Sequence, residues 1–297
     1  MKKFKHVIIW GHALHTHTHS YVHNAFYRAF ASMGYDVKWF DDSNAEAAVY
    51  NWQDCLFITE GQVCKNMPLI KGNTYILHNC YDQAMWDKIN SENIDYLKLQ
   101  VYTNDVLNYN LPEIEPFIFH DAPGRMIYMP WSTDLLPNEI IPFPVTQKTT
   151  TCHWIGTLGD GEFGNREQIN PFVNACRDNG IGFEQWTGLS IEQNRNLISE
   201  SYMAPAIVGK WQKEKGYIPC RIFKNVSYGN YAMTNSKAVH DLFQGAIIYS
   251  EHEYELFEKM IDKMGSRTYT KDLIDNIKFV RDKHTYINRI NTLLSVL

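Results

Sequence analysis

What the chain lacks narrows its class first. Its longest apolar runs, His6-Val7-Ile8-Ile9-Trp10 and Ala246-Ile247-Ile248-Tyr249, fall far short of the ~20 residues that a membrane-spanning helix needs. The basic opening Met1-Lys2-Lys3 leads into a strand-like segment, with neither a long apolar stretch nor a small-residue cleavage site, so a cytoplasmic protein without a transmembrane segment is expected. Six cysteines are scattered without C-x-x-C spacing, which points to buried free thiols rather than a zinc site or a disulfide framework. No basic run exceeds Lys2-Lys3 and the net charge is −5, so nucleic acid is an unfavoured partner, open only to a local basic cleft. The first strand leads into Gly11-His12-Ala13-Leu14-His15 instead of G-x-G-x-x-G, which argues against a dinucleotide-dependent oxidoreductase.

What is present is ordinary globular composition. Hydrophobic residues at 44% and charged residues at 21% allow cores to be buried along all 297 positions, enough for two α/β domains. Short apolar runs alternate with helix-like stretches, and this alternation predicts parallel sheets covered on both faces. In the first half, strands are expected at 6–11, 36–40, 55–59 and 74–77, with further short ones at 96–102, 117–120 and 126–128. Val22, Ala25, Phe26, Ala29, Phe30 and Met33 recur at three- and four-residue intervals, which places them on one buried stripe of a helix over 21–33, ended by Gly34. The stretch 129–150 has the proline and polar content of an interdomain connection, so a first domain over 1–146 and a second over 147–297 are expected. The second half repeats the pattern, with strands at 152–155, 183–186, 204–208 and 231–234 and helices over 167–179, from Ser190 to about 201, and over 219–228 and 251–264. From 271 to the end the chain reads as helical throughout, able to pack back on the first domain.

His12, His15, His17, His19 and His23 crowd the stretch after the first strand. Parallel sheets present ligands at the C-terminal ends of their strands, so this loop is expected beside a cleft. An imidazole titrating near neutrality suits removal of a proton from a hydroxyl. Surface-loop or acceptor-contact roles compete with that one, and metal binding is a further alternative, although no Cys or carboxylate joins the alternating His15, His17 and His19. Glu60 and His78 close the third and fourth strands, where a carboxylate and an imidazole can act as acid-base partners or merely cap a neighbouring loop or helix. The candidate catalytic residues are therefore His15, His17, Glu60 and His78.

In the second half, Pro219 at the start of a helix leaves early backbone amides free, and Arg221 and Lys224, neighbours on the helix surface, can join them around an anion such as a diphosphate. A solvated helix face is the alternative. Arg221-Ile222-Phe223, a small-residue helix ending at Gly229, a strand ending Thr234-Asn235, and His284-Thr285-Tyr286 with Arg289 and Leu293-Leu294 together resemble the glycosyltransferase group-1-related family that includes CgeB-like spore-maturation proteins. Trp154-Ile155-Gly156-Thr157-Leu158 is similar to the strand and turn that open a GT-B donor domain, and Tyr128-Met129-Pro130 with Asp134 to the segment just before its crossover.

The resemblance implies an α/β chain of GT-B type, two Rossmann-like domains facing across a cleft, with an N-terminal acceptor domain and a C-terminal nucleotide-sugar donor domain. It implies further that Arg221 meets the donor phosphates, that Gly156 and Thr157 line the same cleft, and that Thr234, Asn235 and Ser236 close around the phosphates. Many retaining members carry two glutamates eight positions apart around this helix, the second on the ribose; this chain has Gly216 and Lys224 there, and a cation cannot accept the ribose hydroxyls. The charge of Lys224 suggests a phosphate contact instead. The expected function is transfer of a sugar from a nucleotide-diphosphate sugar to a hydroxyl acceptor, a glycan or lipid-linked sugar, with the nucleotide sugar as co-substrate, no cofactor and no metal. The alternatives are a non-catalytic nucleotide-sugar or glycan-binding protein of the same shape, and a phage-type DNA-base glycosyltransferase.

Overall fold

The computed structural model describes residues 4–101, 120–121, 126–142 and 147–297, and packing divides them into two units. The first holds 4–101, 120–121, 126–129 and the C-terminal helix Tyr286–Val296. Its strands β1 His6–Trp10, β2 Asp36–Phe40, β3 Cys55–Glu60, β4 Thr74–His78, β5 Asp95–Gln100, β6 His120–Asp121 and β7 Met126–Tyr128 form one sheet in the order β2-β1-β3-β4-β5-β7-β6. All neighbours run parallel except β6, which is antiparallel to β7. The central strands are continuous apolar runs because both faces are covered, and every residue of β3 and β4 is buried. At the edge, β2 alternates exposed Asp36 and Lys38 with buried Val37.

Helix α1, His19–Ser32, buries Val22, Ala25, Phe26, Ala29 and Phe30 of the expected stripe, while Met33 caps its end half-buried. Phe26 meets Tyr286 of the C-terminal helix edge-on at 4.7 Å. Because α1 starts at His19, ahead of the expected 21, His19 rides on the helix with His23 and not on the loop before it. Helix α2, Gln83–Glu92, has no counterpart among the sequence-based expectations, since its buried stripe is only Met85 and Ile89; the Asp82 carboxylate caps it by accepting the Ala84 and Met85 amides at 2.8 and 3.3 Å. The expected strand at 117–120, apart from His120, the final residue of 96–102, and 143–146 of the proline-rich connection lie outside the described residues.

The second unit comprises the described residues of 130–285. Strands β8 Thr151–Ile155 and β9 Gly182–Trp186 pair in parallel, as do β10 Met233–Thr234 and β11 Ile248–Tyr249. The segment 202–208, where the expected strand at 204–208 is reduced to a single bridge, lies between these ladders: Tyr202 donates its amide to the Thr151 carbonyl at 2.9 Å, and Ala206 bridges to Thr234. The order β9-β8-(202–208)-β10-β11 is thus the order β2-β1-β3-β4-β5 repeated. Around it stand α3 Arg166–Asp178, α4 Ile191–Glu200, α5 Lys210–Glu214, α6 Cys220–Ser227, α7 Lys237–Leu242, α8 Glu253–Met264 and α9 Tyr269–Lys283. Ser190 caps α4 in a capping box with Gln193, as its sequence suggests.

The helix expected to run unbroken from 271 is interrupted at His284, whose backbone leaves the helical region (φ −132°, ψ 57°). Its imidazole stacks on Phe223 at 4.7 Å and meets Phe279 at 4.9 Å, and Thr285 bridges to Thr133, so tertiary packing overrides local helical preference. All six cysteines are free thiols and all but Cys220 are buried. Cys152 and Cys176 stand with their sulfurs 3.8 Å apart, well beyond the ~2.05 Å of a disulfide.

Candidate functional site

In a sheet of this order the chain moves outward in one direction after its first strand and in the other after its third. The gap left at the C-terminal strand ends is where α/β proteins hold ligands. In the first unit this gap lies between Gly11 and His12, which follow β1, and Glu60, which ends β3.

Pairing of β3 with β4 sets Glu60 in register with His78. The Glu60 side chain is 2% exposed, with His12 Nε2 at 3.3 Å from one carboxyl oxygen and His19 Nδ1 at 3.8 Å from the other. His17 stacks on His12 at 4.1 Å, and His19 comes edge-on to His78 at 5.5 Å. His78 donates its Nδ1 hydrogen to the Leu99 carbonyl at 2.9 Å, which makes Nε2 the acceptor of the neutral ring. His23 packs directly over Gly11, where a Cβ would stand 2.2 Å from the imidazole, so β1 must be followed by glycine for α1 to approach.

Burial is the main cause of the proton affinities here. It holds His12 below the ordinary imidazole range, brings His19 and His23 down to about 3 with neighbouring imidazoles adding to the effect, and brings His78 to about 4. Burial also raises Glu60. At neutral pH His19, His23 and His78 are therefore uncharged and weakly basic, and Glu60, whose proton affinity burial raises, is the member best suited to taking a proton from a hydroxyl.

Of the residues expected to be catalytic, His17, Glu60 and His78 come together and His15 does not. His15 is exposed, has a left-handed backbone (φ 69°), and turns its ring to the Tyr21 hydroxyl at 3.3 Å. His12 and His19, which the sequence did not single out, make the nearest approaches to Glu60. The signal that could have found His12 is its place directly after the glycine that follows β1.

The equivalent gap in the second unit begins at Gly156, after β8, and Arg221 reaches it from the first turn of α6. The guanidinium carbon lies 3.6 Å from the centroid of the buried Trp154 ring, and Nη2 donates to the Ile155 carbonyl at 2.8 Å. Among the described residues no carboxylate pairs with Arg221. Burial lowers its pKa to about 10, so it stays protonated at neutrality. Gly156 has φ +120°, and a Cβ on it would stand 2.8 Å from Nη2, so the guanidinium is clamped between the indole and the turn. Thr157 follows, exposed.

Lys224 has a different environment. Its ammonium pairs with Asp134 at 2.9 Å, and the Tyr228 hydroxyl donates to the other oxygen of that carboxylate at 2.6 Å. Thr234, Asn235 and Ser236 are buried. Thr234 donates to the Ala206 carbonyl at 2.9 Å; Asn235 accepts the Val208 amide at 2.9 Å and donates to the Val208 carbonyl at 3.0 Å and to Glu253 at 2.7 Å. The structure thus gathers Gly156, Thr157 and Arg221 at the strand end, engages Lys224 with Asp134, and uses the side chains of Thr234 and Asn235 to brace β10 against 202–208. Among the described residues no group of three or more His, Cys, Asp or Glu is disposed to hold a metal ion, and no helix is long and apolar enough to cross a membrane.

No family model and no curated protein matches the chain. Solved structures do. An α-glucosyltransferase (AGT) in complex with UDP matches with a TM-score of 0.62 at 10% identity, over 98% of this chain and 99% of that one. T4 phage BGT, in complex with its UDP-glucose substrate, matches with a TM-score of 0.55 at 11% identity, over 98% and 96% of the two chains. The spinosyn forosaminyltransferase SpnP matches with a TM-score of 0.51 at 8% identity, over 99% of each. At such identities the likeness is one of fold, and the fold of this chain is that of the GT-B glycosyltransferases.

Proposed function

We propose that the protein is a glycosyltransferase that moves a sugar from a nucleoside-diphosphate sugar to a hydroxyl acceptor. The observation that carries this is the setting of Arg221, a half-buried guanidinium without a carboxylate partner among the described residues, fixed at the strand end where such folds bind ligands. A charge held this way is incomplete without an anion. The donor diphosphate supplies one, through charge-assisted hydrogen bonds to the guanidinium N–H groups not spent on Ile155. Gly156 and Thr157 border the same position, where backbone without a side chain lets phosphate come close.

As the bond to the sugar breaks, negative charge grows on the departing diphosphate, and Arg221, already in place, stabilises it without a metal ion. In the first unit the carboxyl of Glu60 with His12, His17, His19 and His78 takes the proton of the attacking hydroxyl. A glycan or lipid-linked sugar is the acceptor class. Six free thiols fit a reducing cytoplasm. The likeness to AGT and BGT, whose structures hold UDP and UDP-glucose, makes UDP-glucose the first donor to try, and the resemblance to CgeB-like proteins around Arg221 supports a diphosphate contact at that residue.

Calorimetric titration with UDP and a panel of nucleotide sugars tests this. At least one should bind, with Arg221→Ala weakening it about 10- to 100-fold, the loss of hydrogen bonds to a charged group, and Arg221→Lys recovering only part. An unchanged affinity in Arg221→Ala, or no binding across the panel, removes the assignment.

A further inference from the structure

The C-terminal ends of β1 and β2 border a cavity of about 310 Å³, near the lower end of the ~300–1,000 Å³ usual for small-molecule sites. Its chemistry comes from Trp10, Asp41, Asp42, Asn44, Trp52 and Asn66. We infer that it binds a neutral, hydroxyl-rich ring, the saccharide portion of the acceptor; this rests on the glycosyl-transfer function proposed above.

The walls are rigid. Trp52 is packed by Trp10, Phe40 and Tyr50 with ring centroids at 6.0, 5.4 and 4.8 Å. Asp42 accepts the indole N–H of Trp10 at 2.9 Å and the amides of Lys65 and Asn66 at 3.1 Å each. Asp41 takes the Ser43 amide and hydroxyl on Oδ1 at 2.8 and 2.6 Å, Asn44 accepts the Glu46 amide on Oδ1 at 3.0 Å, and Asn66 donates Nδ2 to the Asp42 carbonyl at 3.1 Å. The side-chain groups these bonds do not use are Asp41 Oδ2 and Asn66 Oδ1, both acceptors, and Asn44 Nδ2 and the Trp52 indole N–H, both donors.

A lining that offers both donors and acceptors suits hydroxyls, which do both, and its two carboxylates repel an anionic ligand. Among the described residues no lysine or arginine lines the cavity, so a phosphodiester backbone has nothing there to neutralise it. An indole wall beside polar groups matches the two sides of a pyranose, its C–H face and its hydroxyl edge. Asp41 acts electrostatically on His12, which ties this cavity to the His12 end of the cluster, although Trp10, in register with Thr59, faces the other side of the sheet from Glu60.

The test titrates the full chain with methyl glucoside, methyl galactoside, N-acetylglucosamine, maltotriose and a short DNA duplex, read by tryptophan fluorescence and saturation-transfer NMR. At least one saccharide should saturate, the duplex should not compete, and Asp41→Asn should weaken binding about tenfold, as expected for a lost charged hydrogen-bond acceptor. Trp52→Ala should abolish binding, and so should Ala48→Trp, which fills the cavity from an exposed position and spares the core. Thermal unfolding checks that each variant is folded. Saturation by no saccharide, or equal saturation of Ala48→Trp, overturns the inference. UDP-glucose titrated into the same proteins separates the two ideas: donor binding without saccharide binding sinks the cavity alone, whereas saccharide binding with no nucleotide sugar bound sinks glycosyl transfer and leaves the cavity standing.

Discussion

The two units share a strand order, and in each a glycine follows the first strand at the point where that order reverses, yet the groups pressed against the two glycines have opposite character. Over Gly11 lies the His23 imidazole, backed by a buried carboxyl and other uncharged rings; against Gly156 lies the Arg221 guanidinium. Burial acts on both sites with unequal results. It strips the proton from His19, His23 and His78, whose pKa values fall to about 3 or 4, but leaves Arg221 charged with a pKa of about 10. An intrinsic affinity above 12 survives a desolvation penalty that an affinity near 6.5 does not. The same fold position therefore becomes a proton acceptor in one unit and an anion holder in the other, decided by the side chain delivered to it.

Separating the two sites by mutation is the sharpest way to break this contrast. Glu60→Gln or His12→Phe should lower turnover by about 10²- to 10⁴-fold, the range for loss of general-base catalysis, with the affinity for UDP-glucose unchanged. If steady-state turnover and calorimetric affinity fall together, the division of roles is wrong.

Acid should act on the first site through stability. His19, His23 and His78 bind protons near pH 6.5 when unfolded and only near 3 to 4 when folded, so the unfolded chain takes up protons first and the native state weakens as pH falls from about 6.5 toward 4. Each such group contributes up to about 1.4 kcal/mol per pH unit in that window. Glu60, raised by burial, acts in the opposite sense, since its folded form holds a proton more tightly than the unfolded one; it offsets part of the loss. Urea titrations across this range should show the decline, and His23→Gln should flatten it. A pH-independent midpoint would mean that the imidazoles are not buried as neutral groups.

The glycines offer the smallest and most symmetrical comparison. Gly11→Ala pushes a methyl group into His23 and should cost roughly 1–3 kcal/mol of stability with donor affinity intact. Gly156→Ala meets both a left-handed backbone and the guanidinium; it should cost a similar roughly 1–3 kcal/mol and also weaken UDP-glucose binding. Chemical denaturation with donor titration distinguishes the two patterns.

Much of the scaffold was legible because its signals are local. Continuous apolar runs marked β1, β3 and β4, the three- and four-residue spacing marked the buried face of α1, and Ser190 marked the start of α4. Glu60 and His78 were legible as strand-end residues for the same reason. The loop was not: alternation of His15 and His17 says nothing about the left-handed turn at His15 that sends its ring toward Tyr21. Lys224 carries a charge whose partner, Asp134, stands ninety positions earlier in the chain, a distance no helical spacing spans.

By itself, then, the sequence determined the central strands of the first sheet, the buried stripe of α1 and the start of α4, and that Arg221 sits in the opening turn of α6, since hydrogen bonding and burial within a short window govern those features. Only the tertiary structure decided that His12 and not His15 meets Glu60, that His284 breaks a helix by stacking on Phe223, and that Arg221 rests on Trp154 without a carboxylate among the described residues. Each of those outcomes is a contact between side chains distant in sequence, and its energy exists only once the sheet and helices have brought them together.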